Sequence, residues 1–130
     1  MNNNPNILVI DDDPLVREVI EQFLGSSGYN YRSAADGVAG LDMVNADPPD
    51  LVITDILMPK KEGMETIMEI RKAYPDIKII AISGQGWSGA VSYLDMAQKL
   101  GANAALAKPF SKADLLEKIV EVMIDDSEAP

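Results

Sequence analysis

Short, largely apolar runs alternate with helix-period patterns along the whole chain. Ile7 to Ile10, Leu51 to Thr54 and Ile77 to Ile82 are strand-length and mostly β-branched. Apart from Lys78 and Thr54 these runs are apolar throughout, the character that a strand covered on both faces requires. Tyr29 to Ser33 and Ala104 to Ala107 are weaker strand candidates. Between them, apolar residues recur at helical spacing. Leu15, Val16, Val19, Ile20, Phe23 and Leu24 form a first stripe; Val38, Leu41 and Val44 suggest a second helix. Met64, Ile67, Met68 and Arg71 suggest a third, and Val91, Leu94, Ala97 and Leu100 a fourth. Leu115, Leu116, Ile119, Val120 and Met123 make the last. Five strands alternating with five helices predict an α/β domain with a parallel sheet covered on both faces.

Local signals punctuate this pattern. Asp13 is placed to cap the first helix, with Pro14 at the first helical position, where a missing N–H costs nothing. Gly25 or Gly28 is expected to end that helix. Ser111 and Asp114 make a capping-box-like start for the last one. The expected organisation is one domain over residues 1–124, followed by an acidic, disordered tail over residues 125–130.

Composition narrows the chemistry. With no cysteine and no histidine, the 130-residue chain has no disulfide, no thiolate metal site and no phosphohistidine of its own. Only carboxylates remain as metal ligands, and these suit Mg²⁺ or Ca²⁺. Eleven basic residues against 21 acidic ones give a formal charge of −10, which disfavours direct nucleic-acid binding. The start, MNNNPN, has no signal-peptide pattern, and no apolar run is long enough to span a bilayer. A cytoplasmic location is expected.

In an open parallel sheet, ligands bind beyond the carboxyl ends of the strands. Asp11, Asp12 and Asp13 follow the first strand, Asp55 ends the third, the fourth leads to Ser83, and Lys108 follows the fifth. Two carboxylates about 4 Å apart repel by roughly 4 kcal/mol at an effective dielectric near 20, so a proton or a cation must relieve them. Taken singly, the features are bland: a solvated cap-rich turn, a strand-end polar residue, a turn hydroxyl, a surface lysine. Asp13 is expected to be a cap only. Joint placement at four strand ends is what points to a site.

At those same positions the chain resembles the receiver domains of response regulators in two-component signalling. The likeness is carried by ILVIDDDP (Ile7 to Pro14), ITDILMP (Ile53 to Pro59) with Gly63, AISG (Ala81 to Gly84) and AKPF (Ala107 to Phe110), and it runs from about Asn6 to Met123. The resemblance implies a flavodoxin-like, doubly wound (βα)5 three-layer sandwich with strand order 2-1-3-4-5. It implies Asp55 as phosphoacceptor and Mg²⁺ held by Asp11, Asp12, Asp55 and the backbone carbonyl of Leu57. Asp12 would be the direct ligand of the acidic pair, with Asp11 acting mostly through water. Ser83 would be the switch hydroxyl and Lys108 the partner of the phosphoryl group, with a cis bond to Pro109.

The function so implied is a single-domain response regulator. It would accept a phosphoryl group from a sensor histidine kinase or histidine phosphotransfer protein and act as a switch or relay intermediate on an unknown effector protein. It would be a monomer or weak dimer, without membrane or direct nucleic-acid contact. Beyond slow self-phosphorylation and self-dephosphorylation it would not be an enzyme.

Two departures stand out. Many receivers carry an aromatic residue three positions before the lysine, where this chain has Ala105. The stretch from Ser83 to Lys108 is also about three residues longer than in simple receivers, with the excess in Gly84 to Gly89. Three glycines make that loop permissive. Trp87 within it is either a partner anchor or a cover over the fourth helix. Two other functions stay open: a phosphorylation-independent binding module of the same fold, and a hydrolase working through an aspartyl phosphate. The second usually carries an acid two residues after the nucleophile, where Leu57 stands.

Overall fold

The computed structural model describes residues 5–56, 63–84 and 95–127, with side chains up to residue 124. The strands are β1 (Asn6–Ile10), β2 (Asn30–Ala34), β3 (Leu51–Asp55), β4 (Lys78–Ser83) and β5 (Ala104–Ala107). The helices are α1 (Pro14–Ser26), α2 (Gly37–Ala46), α3 (Gly63–Ala73), α4, described over residues 95–100, and α5 (Lys112–Ser127). All neighbouring strands pair in parallel in the order β2-β1-β3-β4-β5. This is the expected flavodoxin-like sheet, with β3 at its centre and every residue of β3 buried.

Successive side chains on a strand point to opposite faces, so each apolar run divides between two cores. Leu8, Ile10, Val52, Ile79 and Ala81 pack with Val44 of α2, Ile67 and Ile70 of α3, and Ala97 of α4. Ile7, Val9, Leu51, Ile53, Ile80 and Ile82 pack with Ile20 and Leu24 of α1 and with Leu115, Ile119 and Val122 of α5. Each fully buried Ile or Leu contributes about 1.5–3 kcal/mol relative to exposure.

Local signals land close to their expected places. Asp13 caps α1 by accepting the N–H of Leu15 at 2.9 Å. Gly28, at φ 84°, ends it, with Tyr29 N–H donating to the Leu24 carbonyl and Gly28 N–H to that of Gly25. This is a Schellman closure, and it places Tyr29 in the cap, so β2 starts one residue later than the expected strand. In the same way, Ile77 donates to the Tyr74 carbonyl in a turn, and β4 starts at Lys78. Ser111 and Asp114 exchange bonds of 3.0 and 3.1 Å at the start of α5. That helix runs through Ser127, so residues 125–127 are helical and the expected start of the tail falls inside it.

The apolar stripes are less faithful. Leu15, Val19, Val38, Met68 and Val120 are exposed, whereas Ile70 and Val122 are buried. On α2 the sheet-facing positions include Gly37 and Gly40. A Cβ at Gly40 would collide with the Ile10 side chain, so the close approach excludes a larger residue there. Val91, Leu94 and the Trp87 loop lie outside the described residues. Among the described residues, no helix is long and apolar enough to cross a membrane.

Candidate functional site

Asp11 stands one residue past β1 and is fully buried, and each of its polar groups has a partner. Its N–H continues the β1–β2 ladder by donating to the Ala34 carbonyl at 3.2 Å. Oδ1 accepts the Asp13 N–H at 2.9 Å, and Oδ2 accepts Lys108 Nζ at 3.1 Å. Its carbonyl accepts Nη1 of Arg17, from α1, at 2.8 Å. Asp12, next along, is exposed.

Asp55 closes β3 and is only 6% exposed. Its backbone is held tightly, because a Cβ on Gly63, the first residue of α3, would overlap the Asp55 carbonyl oxygen and the Ile56 Cα. Ile56 N–H donates to the Ile82 carbonyl at 3.0 Å, tying this turn to β4. Ser83, fully buried, ends β4, and its carbonyl accepts the Lys108 N–H at 2.8 Å. The Lys108–Pro109 bond is cis, as the resemblance implied.

These elements converge on one rim. Lys108 Nζ donates to Asp55 Oδ2 at 3.3 Å as well as to Asp11. Burial works against its charge, but attraction to Asp55 and Asp11 and hydrogen bonds to both outweigh it, and the ammonium pKa is raised. One carboxylate oxygen from each of Asp11, Asp12 and Asp55 lies within 4.8 Å of the others. Among the described residues, three converging carboxylates against the Lys108 ammonium form an acidic pocket suited to a hard divalent cation. The sequence-predicted residues Asp11, Asp12, Asp55 and Lys108 therefore meet, with Ser83 at the end of the adjoining strand. Leu57 lies outside the described residues.

A groove of about 560 Å³ opens beside Asp55 and Lys108, between Leu15, Val16 and Val19 of α1 and the Pro109–Phe110 turn. Exposed Leu15 and Val19, which periodicity assigned to the core, line it instead. Sequence reasoning also missed Arg17. Its only signal was that it is the single basic residue of α1. Ala105 sits half-buried on β5, paired with Ala81.

A family model for the response regulator receiver domain matches residues 7–120. The chain belongs to this family. Every described site residue of this receiver lies inside the matched segment. The chain is 37% identical over 114 residues to response regulator MprA of Mycobacterium avium (strain 104), a match covering 87% of the chain and 48% of that protein. It thus spans about half the length of the curated relatives it matches. Among solved structures, it is similar to a CheY-like response regulator receiver domain protein from Methanospirillum hungatei JF-1. That match has TM-score 0.85 and 30% identity, covering 98% of this receiver and 100% of that chain. Chemotaxis protein CheY4 of Vibrio cholerae matches at TM-score 0.83 and 26% identity, covering 92% and 98% of the two chains.

Proposed function

We propose that this receiver accepts a phosphoryl group on Asp55 from a phosphohistidine of a sensor histidine kinase or histidine phosphotransfer protein, in a Mg²⁺-dependent reaction. It would then act as a switch, or as a relay intermediate, toward an effector protein. The observation that carries this reading is the convergence of Asp11, Asp12 and Asp55 oxygens within 4.8 Å, with Lys108 Nζ 3.3 Å from Asp55.

Asp11, Asp12 and Asp55 would hold the ion, which when bound supplies positive charge against the phosphoryl oxygens. In the transfer, an Asp55 carboxylate oxygen forms a bond to phosphorus as the bond from phosphorus to the imidazole nitrogen breaks. The ring nitrogen keeps the electron pair. Catalysis of this kind is positioning and charge neutralisation. Lys108 offsets charge on the transferred group, and its raised pKa keeps it an ammonium. Asp55 phosphate carries nearly two negative charges, and Ser83, on the neighbouring strand, is the hydroxyl that would answer them. The apolar groove along Leu15 and Val19 offers a donor protein contact area next to the acceptor. The protein is in this reading a substrate of its partners, and its own catalysis would be confined to slow self-phosphorylation from small donors and hydrolysis of its aspartyl phosphate.

Half-buried Ala105 favours a second reading, a phosphorylation-independent binding module. One experiment separates the two. Wild type and Asp55→Asn are incubated with acetyl phosphate and Mg²⁺ and run on phosphate-affinity gels. The expected result is a shifted wild-type band that disappears with Asp55→Asn and with chelator. An unshifted wild type, or a shift that survives Asp55→Asn, overturns the proposal.

A further inference from the structure

We infer that Arg17 is a positioning residue for the divalent-ion site, holding the Asp11–Asp12 peptide so that Asp12 stays turned toward Asp11 and Asp55. This rests on the metal reading above. Asp12 is exposed, yet one of its carboxylate oxygens remains within 4.8 Å of those of two other carboxylates. Like charges at that range push an unrestrained side chain out to water. Asp12 lies in the loop after β1, two residues past the strand, where a restraint on its backbone would act through the Asp11–Asp12 peptide.

Arg17 supplies it. The paired register of β1 ends at Ile10, so the carbonyl of Asp11 lies beyond the residues that the sheet aligns. The donor found there is the Arg17 guanidinium, reaching back from α1 at 2.8 Å. A peptide unit is planar, so fixing the carbonyl of Asp11 also fixes the N–Cα direction of Asp12. The Asp13 N–H, bonded to Asp11 Oδ1 at 2.9 Å, and the Asp13 cap on α1 close the turn from the other side. Arg17 touches neither the acceptor nor the phosphodonor in this scheme; it acts through the loop.

The sign of the effect separates position from charge. If Arg17 mattered only as a cation near an acidic cluster, removing it would tighten Mg²⁺ binding. If it positions Asp12, removing it weakens binding. Calorimetric Mg²⁺ titration of the whole chain is expected to give Arg17→Met a Kd about tenfold above wild type, the usual scale for a group supporting a metal ligand. Arg17→Lys, which keeps the charge and loses the planar fork, should fall between. At saturating Mg²⁺, Arg17→Met should regain a wild-type rate with acetyl phosphate. In metal-free protein, amide exchange at Asp13 should accelerate in Arg17→Met while the β3 amides stay protected. Unchanged or tighter Mg²⁺ binding by Arg17→Met overturns the inference, as does a rate that Mg²⁺ does not restore. No Mg²⁺ uptake by the wild type sinks the metal reading itself, whereas uptake indifferent to Arg17 sinks only this inference.

Discussion

At the N-terminal end of the sheet, the Asp50 carboxylate accepts the Asn6 N–H at 2.8 Å. Arg71 spreads its guanidinium over the carbonyls of Gly101 at 3.0 Å and Pro75 at 2.6 Å and over Asn103 Oδ1 at 2.8 Å. At the C-terminal end, two carboxylates converge on the ammonium of Lys108 and a third stands close by. At the first end these charges hydrogen-bond to neutral dipoles, and the opposite charge of Asp76 also acts on Arg71. Among the described residues, the second keeps an excess of negative charge in a half-closed pocket, an arrangement that a divalent cation would relieve. Arginine serves both ends, gripping main-chain carbonyls. Arg71 joins α3 to the segment before β5, while Arg17 joins α1 to the loop that bears the acids.

The contrast can be broken most forcefully at Gly63. Gly63→Val should cost about 3 kcal/mol or more in urea unfolding, because its side chain has to displace the Asp55 main chain. The acetyl phosphate shift should vanish with it. Wild-type stability in that variant would show that the close approach of α3 to Asp55 is not what fixes the acceptor.

Arg71→Met tests the other end. Losing three hydrogen bonds from a half-buried guanidinium should destabilise the fold by roughly 1–3 kcal/mol, yet leave Mg²⁺ affinity unchanged. Arg17→Met should do the reverse, losing more affinity than stability. If both arginines move both quantities alike, the two ends are not separate in function.

The smallest effect concerns pH. The folded state holds the Lys108 proton more firmly than an unfolded chain does, since Asp55 and Asp11 outweigh the opposing effect of burial. Its stabilising contribution is therefore whole below the ordinary lysine value of ~10.4 and fades as pH rises through the higher folded value. Metal-free wild type should lose stability over that alkaline window, and Lys108→Met should lose less across the same interval. Parallel slopes for the two proteins would contradict the raised pKa.

Much of this architecture was legible from residue order. Helix period and strand period are local properties, so the succession of elements and the two cores follow from them. The Asp13 cap, Pro14 behind it and the Ser111–Asp114 box were equally readable, because each bond closes within three residues. The placement of Asp11, Asp12, Asp55, Ser83 and Lys108 at strand ends needed only the rule that parallel strands share a direction.

What residue order left open depends on how elements cross. Leu15, Val19, Val38, Met68 and Val120 have the right period for burial and the wrong azimuth, since a helix stripe is wider than the strip of sheet that receives it. Gly40 against Ile10 and Gly63 against Asp55 are contacts between separate elements, with no local signature beyond a missing side chain. The grip of Arg17 on Asp11 depends on the angle at which α1 leaves the sheet. Periodicity and capping are set by neighbours along the chain and can be read from it. Approach distances and the aim of long side chains are set by packing between segments that meet only once the whole domain has closed.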